Sequence, residues 1–289
     1  MEDCDFNINI AVVGVGLIGG SYAMALRDLK PKCIIGIDKD KSALKSALDS
    51  GIIDRAYEKG GDFLKEIDMV IIALYPKDTI KFVKDNLKYF KKGTLITDTS
   101  GIKENIVDTI NLFLPEYLEF VPGHPMAGRE AGGIKWASKD IFKGANYIIT
   151  PSEKNTSWGL KKIDKMARSM GCSNVTYVSP EEHDRIVTFT SHLPHVIAVS
   201  IMNSHEENYK DNIELFTGGS FKDATRVAQI NSKLWTELFI MNSDKLVDEI
   251  ENFQRSMDVL KKAIMCKDIN TIEYIFENGM SKRKELVKG

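Results

Sequence analysis

The sequence predicts an α/β protein: a doubly wound, mostly parallel sheet over residues 1–179, followed by an all-helical domain over residues 180–289. Three observations predict it. Short β-rich runs alternate with helical stretches through the first half of the chain. A glycine-rich turn, Gly14-Val15-Gly16-Leu17-Ile18-Gly19, joins the first run to the first helix. Beyond residue 179 the strand signal almost disappears.

In chain order, residues 8–13 read as a strand and 17–29 as a helix; 33–38 form a second strand and 41–50 a second helix. Residues 69–74 are a nearly continuous apolar run, the pattern of a strand covered on both faces, and 78–90 are helical. Further strand candidates lie at 94–97, 119–121, 147–150 and 175–178. The helical part opens at Ser179-Pro180-Glu181-Glu182. Ser179 suits the cap, Pro180 the first helical position, and Glu182 can return a hydrogen bond to the cap backbone. Pro194 interrupts a helical run. It has no N–H for the Thr190 carbonyl, so it predicts a kink, with His192 and His195 on either side. Leu246, Ile250, Phe253, Met257, Leu260 and Ile264 recur in steps of four and three, a narrow apolar seam. That seam fits a helix packed within its own domain or one shared between subunits. A helical domain of this size must bury its faces somewhere, which favours a homodimer.

The 289 residues suit two domains, and 43% hydrophobic with 28% charged residues is the balance of a globular protein. A net charge of −2 makes no case for nucleic acid or an anionic membrane as partner. The acidic start, Met1 to Asp5, lacks the zones of a signal peptide, and no apolar run approaches the ~18 residues of a membrane span. Cys4, Cys33, Cys172 and Cys266 are scattered, which argues against a zinc site or disulfide framework and fits a reducing cytoplasm.

The glycine turn has the context of a Rossmann-type dinucleotide site: a strand before, a helix after, and an acid, Asp38, at the end of the next strand. Gly14 permits the turn, Gly16 lets a pyrophosphate approach, and Gly19 allows close helix–strand packing. Leu17 and Ile18 begin the helix whose free N–H groups face the phosphates. Asp38 would accept from ribose hydroxyls and repel a 2′-phosphate, which favours NAD over NADP; Lys39 and Lys41 work against that preference. Leu74-Tyr75 and Asp98-Thr99-Ser100 follow later strands and face the same crevice.

His124, in Gly123-His124-Pro125-Met126-Ala127-Gly128, follows the strand candidate ending at Val121 and should also stand at the crevice. An imidazole titrating near neutrality can take a proton from an alcohol as hydride leaves. Arg226 is a permanently charged fork suited to a carboxylate, or to a pair with Asp223 one turn back. On spacing alone His192, His195 and Trp235 are core residues.

Taken together, the glycine turn, Gly123-His124-Pro125-Met126-Ala127-Gly128-Arg129-Glu130, Ser191-His192-Leu193-Pro194-His195 and Phe221-Lys222-Asp223-Ala224-Thr225-Arg226, followed by Trp235, resemble the prephenate dehydrogenase family over nearly the whole chain. The resemblance implies an NAD-dependent oxidation of a cyclohexadienol with loss of CO₂, giving 4-hydroxyphenylpyruvate in tyrosine biosynthesis, by a cytoplasmic homodimer joined through its helical domain. It implies that His124 helps remove the ring hydroxyl proton and that Arg226 binds a substrate carboxylate. It places His195 at the substrate, Trp235 near it and Glu130 at the entrance; His192, which with His195 flanks the kink and can face the cleft between the domains, is a further substrate-site candidate. Two departures stand out. A Gly-Ser-x-Lys turn with a catalytic-site serine is here Ser100-Gly101-Ile102-Lys103, with Ser100 displaced by one. Arg129 stands where some relatives have a small hydroxyl residue, and either attracts a dianion or pairs with Glu130. No mutase domain is expected before residue 1, and no regulatory domain after the helices. Arogenate, the amino analogue, is the alternative substrate. A β-hydroxyacid dehydrogenase and a catalytically silent NAD-sensing protein are more distant readings.

Overall fold

The computed structural model describes residues 6–128, 131–204 and 213–287. A six-stranded, fully parallel sheet has the order β3-β2-β1-β4-β5-β6. Its strands are β1 (Asn9–Val13), β2 (Cys33–Ile37), β3 (Arg55–Tyr57), β4 (Met69–Ile72), β5 (Leu95–Asp98) and β6 (Glu119–Phe120). The order reverses between β1 and β4, which opens a crevice at the strands' carboxyl ends. α1 (Leu17–Arg27), α2 (Lys41–Asp49), α3 (Pro76–Asn86) and α4 (Glu104–Phe113) make the crossovers.

Alternate residues of one strand enter opposite cores. Ile10 and Val12 of β1 join Met69 and Ile71 of β4 on one face, and Ala11 and Val13 join Val70 and Ile72 on the other. Both faces are therefore dry, which explains the unbroken apolar runs.

The last strand candidates leave this sheet. β7 (Gly123–Pro125) pairs antiparallel with β8 (Asn146–Ile149), which pairs parallel with β9 (Asn174–Tyr177), and α5 (Ser157–Ser169) lies between β8 and β9 in sequence. His124 is thus a strand residue, not a loop residue. β3 and β7, three residues each, are too short to show a period in the sequence.

Beyond Ser179, whose Oγ accepts from Glu182 N at 3.1 Å, the described elements are helical: α6 (Pro180–Val187), α7 (Leu193–Asn203), α8 (Gly219–Thr225), α9 (Ser232–Met241), α10 (Ser243–Cys266) and α11 (Ile269–Val287). Between α6 and α7 the helix runs on through a π turn at Thr188–His192. That wider turn ends just before Pro194 and absorbs the backbone break that Pro194 predicts. Within the composite helix, residues 180–203, an 18-residue window has a mean hydropathy of 1.2, enough by length and composition alone to cross a membrane. The reading of apolar runs misses it because polar residues interrupt them. At the polar start of the same helix, His183 and Asp184 are buried and hydrogen-bonded within the fold.

By compactness Met1–Asn242 is one unit and Ser243–Gly289 another. The change of element type does fall at Pro180. However, Asp184 of α6 caps α4, and Leu234, Trp235 and Leu238 of α9 pack against one core of the parallel sheet, so residues 180–242 are built into the first unit. The second unit is the α10–α11 hairpin. In its seam Leu246 is buried, while Met257 and Ile264 are 50% and 58% exposed.

Candidate active site

The glycine turn has the geometry of a phosphate cradle. Gly14 takes φ +85°, and a Cβ there would lie 2.3 Å from the Ala73 carbonyl oxygen. A Cβ on Gly19 would lie 1.8 Å from the Gly14 oxygen, so that position admits no side chain. A Cβ on Gly16 would meet nothing within 4 Å: this face is open. Gly16 is the N-cap of α1 and makes no side-chain cap bond, which leaves first-turn N–H groups available to an anion. Leu17 is buried, Ile18 is half-buried, and Leu74 sits over Gly14. These residues fit a dinucleotide.

Asp38 follows β2. Its Oδ2 accepts from Val15 N at 2.7 Å and its Oδ1 from Asp40 N at 2.9 Å. The carboxylate is thereby locked beside the turn, with lone pairs to spare for hydroxyl donors. Lys41 pairs with Glu58 at 2.9 Å, which weakens its opposition to NAD. Tyr75 caps α3, and its hydroxyl accepts from Asn231 Nδ2 at 2.6 Å; Glu237 accepts from Lys77 N at 2.5 Å. α9 is in this way bonded to the loop that follows β4.

His124 lies at the carboxyl end of the sheet. Its Nδ1 is 2.9 Å from His183 Nε2, and His183 Nδ1 is 2.7 Å from Asp184 Oδ1. Asp184 also accepts from Lys103 N at 2.7 Å and Glu104 N at 2.9 Å, the uncapped start of α4. A Cβ on Gly101 would lie 3.9 Å from His124 Nε2 and 3.8 Å from Leu238 of α9. Burial, with His183, Lys103 and His192 nearby, holds the His124 pKa well below the usual histidine value. Burial also lowers that of His183, against the pull of Asp184. Both rings are neutral at pH 7.

Behind this chain, Asp98 organises the end of β5. It receives Lys103 Nζ on both oxygens at 2.8 Å, Ser100 N at 3.0 Å and Gly123 N at 3.3 Å. The lysine of the displaced turn thus points into the fold. Ser100 Oγ is buried and has no hydrogen-bond partner among the described residues, as expected of a hydroxyl kept for a ligand.

The helices supply an aromatic wall. His195 stacks on Trp235 with ring centroids 3.6 Å apart, and its Nδ1–H donates to the Ser191 carbonyl at 2.8 Å. His192 meets Trp235 and Phe239 at 5.8 Å each; burial pushes its pKa down to about 4, and its Nδ1 has no partner among the described residues. Arg226 begins a 3-10 turn, Arg226–Ala228, that packs on α7, the helix of His195. Arg129 and Glu130 lie outside the described residues.

His124, His183, His192, His195, Trp235 and Leu238 therefore belong to one region. Sequence reading missed His183 and Asp184; it named Asp98 at the crevice and Lys103 in the displaced turn but not the ion pair between them. The available signal was faint: an adjacent His-Asp pair on the helix preceding His192.

Comparison with known proteins identifies the family. The family model described as "Prephenate dehydrogenase, nucleotide-binding domain" matches residues 22–176, and "Prephenate dehydrogenase, dimerization domain" matches 179–278. The chain is 32% identical to the prephenate dehydrogenase of Bacillus subtilis (strain 168), over 96% of this chain and 76% of that protein. It is 28% identical to the cyclohexadienyl dehydrogenase of Zymomonas mobilis, over 96% of this chain and 94% of that protein. A solved structure of prephenate dehydrogenase from Aquifex aeolicus, in complex with hydroxyphenyl propionate and NAD+, aligns with a TM-score of 0.88 at 29% identity, covering 96% of this chain and 98% of that one.

Proposed function

The chain belongs to the prephenate dehydrogenase family, and from that premise we infer how its residues carry out the NAD-dependent oxidative decarboxylation of prephenate to 4-hydroxyphenylpyruvate in tyrosine biosynthesis. It is an NAD-dependent oxidoreductase. Bound NAD supplies the hydride acceptor. The Gly14–Gly19 turn and the start of α1 would hold its pyrophosphate, Asp38 would hold its adenosine ribose, and Leu74, Tyr75 and Ser100 would contact the rest of it.

One observation carries the catalytic reading: His124 Nδ1 is occupied by His183 at 2.9 Å, which leaves Nε2 for the substrate. A neutral imidazole there accepts the ring hydroxyl proton as the carbonyl forms. Loss of CO₂ and aromatisation make the reaction downhill, so positioning matters more than an unusually strong base. Arg226 holds a substrate carboxylate through charge-assisted bonds. His195, Trp235 and His192 form the wall against the ring. The bonded relay is more than cofactor sensing requires, which disfavours a silent NAD-binding protein.

We assign residues 1–179 to the cofactor and 180–289 to substrate and dimer, a division supported by family models that span 22–176 and 179–278. The exposed seam residues Met257 and Ile264, with Tyr274 and Phe276 of α11, support a homodimer through the helical hairpin. Free, separated Cys33, Cys172 and Cys266 support a reducing cytoplasm. Arogenate is the alternative substrate.

The test is NADH or NADPH formation with prephenate and with arogenate, each with NAD and NADP. Turnover of prephenate with NAD is expected. Preference for arogenate would move the chain to the alternative, and cofactor binding without turnover would overturn the enzyme.

A further inference from the structure

We propose that His183 and Asp184 are positioning residues for the base: they hold His124 as its Nδ1–H tautomer, with the Nε2 lone pair left for the substrate. This deepens the reading of His124 given above and rests on it.

The bonding order leaves one arrangement. Asp184 is an acceptor, fixed by two backbone donors, Lys103 N and Glu104 N. Its backbone is fixed as well: its carbonyl accepts from Thr188 Oγ1 at 2.6 Å and from Asn242 Nδ2 at 3.2 Å. His183 Nδ1, 2.7 Å from Asp184 Oδ1, must therefore carry a proton. Burial keeps His183 neutral, so its single proton is spent there and Nε2 is bare. A bare Nε2 at 2.9 Å from His124 Nδ1 can only accept, so His124 donates through Nδ1. The proton of neutral His124 is thus on the nitrogen away from Gly101, and the nitrogen beside Gly101 is the base. An imidazole's tautomer is set by the bond its other nitrogen makes.

His183 and Asp184 are each 2% exposed, yet they are not simple core filling. An apolar pair would fill the volume without ordering the protons. Because Asp184 also caps α4, the strap from Ser100 to Lys103 and the base share one anchor.

The experiment uses the full chain with ¹⁵N-labelled histidine, with the His124 signals assigned by comparison with His124→Asn. The expected result is a neutral ring protonated at Nδ1 and bare at Nε2; a proton on Nε2 overturns the proposal. His183→Leu and His183→Gln are then assayed. Leucine removes the acceptor and should lower kcat by about 10²-fold or more while the KM for prephenate and for NAD shifts by less than about threefold. Glutamine can still accept through Oε1 and should restore kcat to within about tenfold of the wild type. Equal activity in both variants, or an equal loss in both, reduces His183 to packing and overturns the proposal. If the wild-type protein turned over neither prephenate nor arogenate, the assigned function would fail, while the ring nitrogens would still decide the tautomer.

Discussion

Lys103 and Asp98 form an ion pair with no exposed side-chain surface, Nζ standing 2.8 Å from each carboxylate oxygen. The pair fixes the end of β5, because Asp98 also receives the backbone N–H groups of Ser100 and Gly123. Burial pushes the Lys103 pKa down, and the charge and hydrogen bonds of Asp98 oppose that fall without cancelling it. Lys103→Met would leave the carboxylate buried without its cation. A loss of about 3–5 kcal/mol in urea unfolding is expected. A loss below about 1 kcal/mol would show that the two backbone donors suffice.

His124→Asn should lower kcat by ~10²–10⁴-fold in a protein that still folds and binds NAD. Steady-state kinetics and a cofactor titration check this. Near-wild-type turnover would remove His124 from the chemistry. Because its pKa lies below the ordinary 6.5, the wild-type rate should hold as the pH falls through that value and drop only further down.

His192 gives stability a defined pH dependence. Its pKa is about 4 in the fold against 6.5 in the unfolded chain. As pH falls below 6.5 the unfolded chain binds a proton that the folded ring refuses. The stability is complete above 6.5 and declines towards pH 4, by up to about 3 kcal/mol from this residue. Depressed His124 and His183 act with the same sign. His192→Leu should flatten the decline in unfolding curves taken across that window. An unaltered slope would assign the decline to other groups.

Arg226→Ala should chiefly raise the KM for prephenate, by the ~1.5–3 kcal/mol of a charge-assisted contact. An unchanged KM would show that another cation holds the carboxylate.

Asp38→Ser should shift selectivity from NAD towards NADP, since it removes an anion from beside the ribose site. The ratio of kcat/KM for the two cofactors measures it. Some thermal stability should go as well, because Val15 N and Asp40 N lose their acceptor. A constant cofactor ratio would separate Asp38 from the ribose.

The parallel sheet, its glycine turn and Asp38 were legible in the chain because each is a local pattern. A doubly buried strand needs consecutive apolar residues, a tight turn needs glycine, and an acid after β2 falls beside that turn whenever β1 and β2 are neighbours. His124, His192, His195 and Trp235 were legible as members of a resemblance, though spacing alone reads the last three as core.

The sequence by itself therefore determined the strand–helix alternation, the cofactor cradle and which histidine is proposed as the base. Tertiary structure alone decided which groups set that base's proton and which strands left the main sheet. His124 and His183 are 59 residues apart, and Lys103 and Asp184 are 81 apart. Bonds between such residues leave no periodicity in the chain, because they form only when β7, α4 and α6 meet at the end of the sheet. Burial then makes them consequential: neutral rings and a shielded carboxylate place a proton by hydrogen bonding, where water would let it exchange between the two nitrogens.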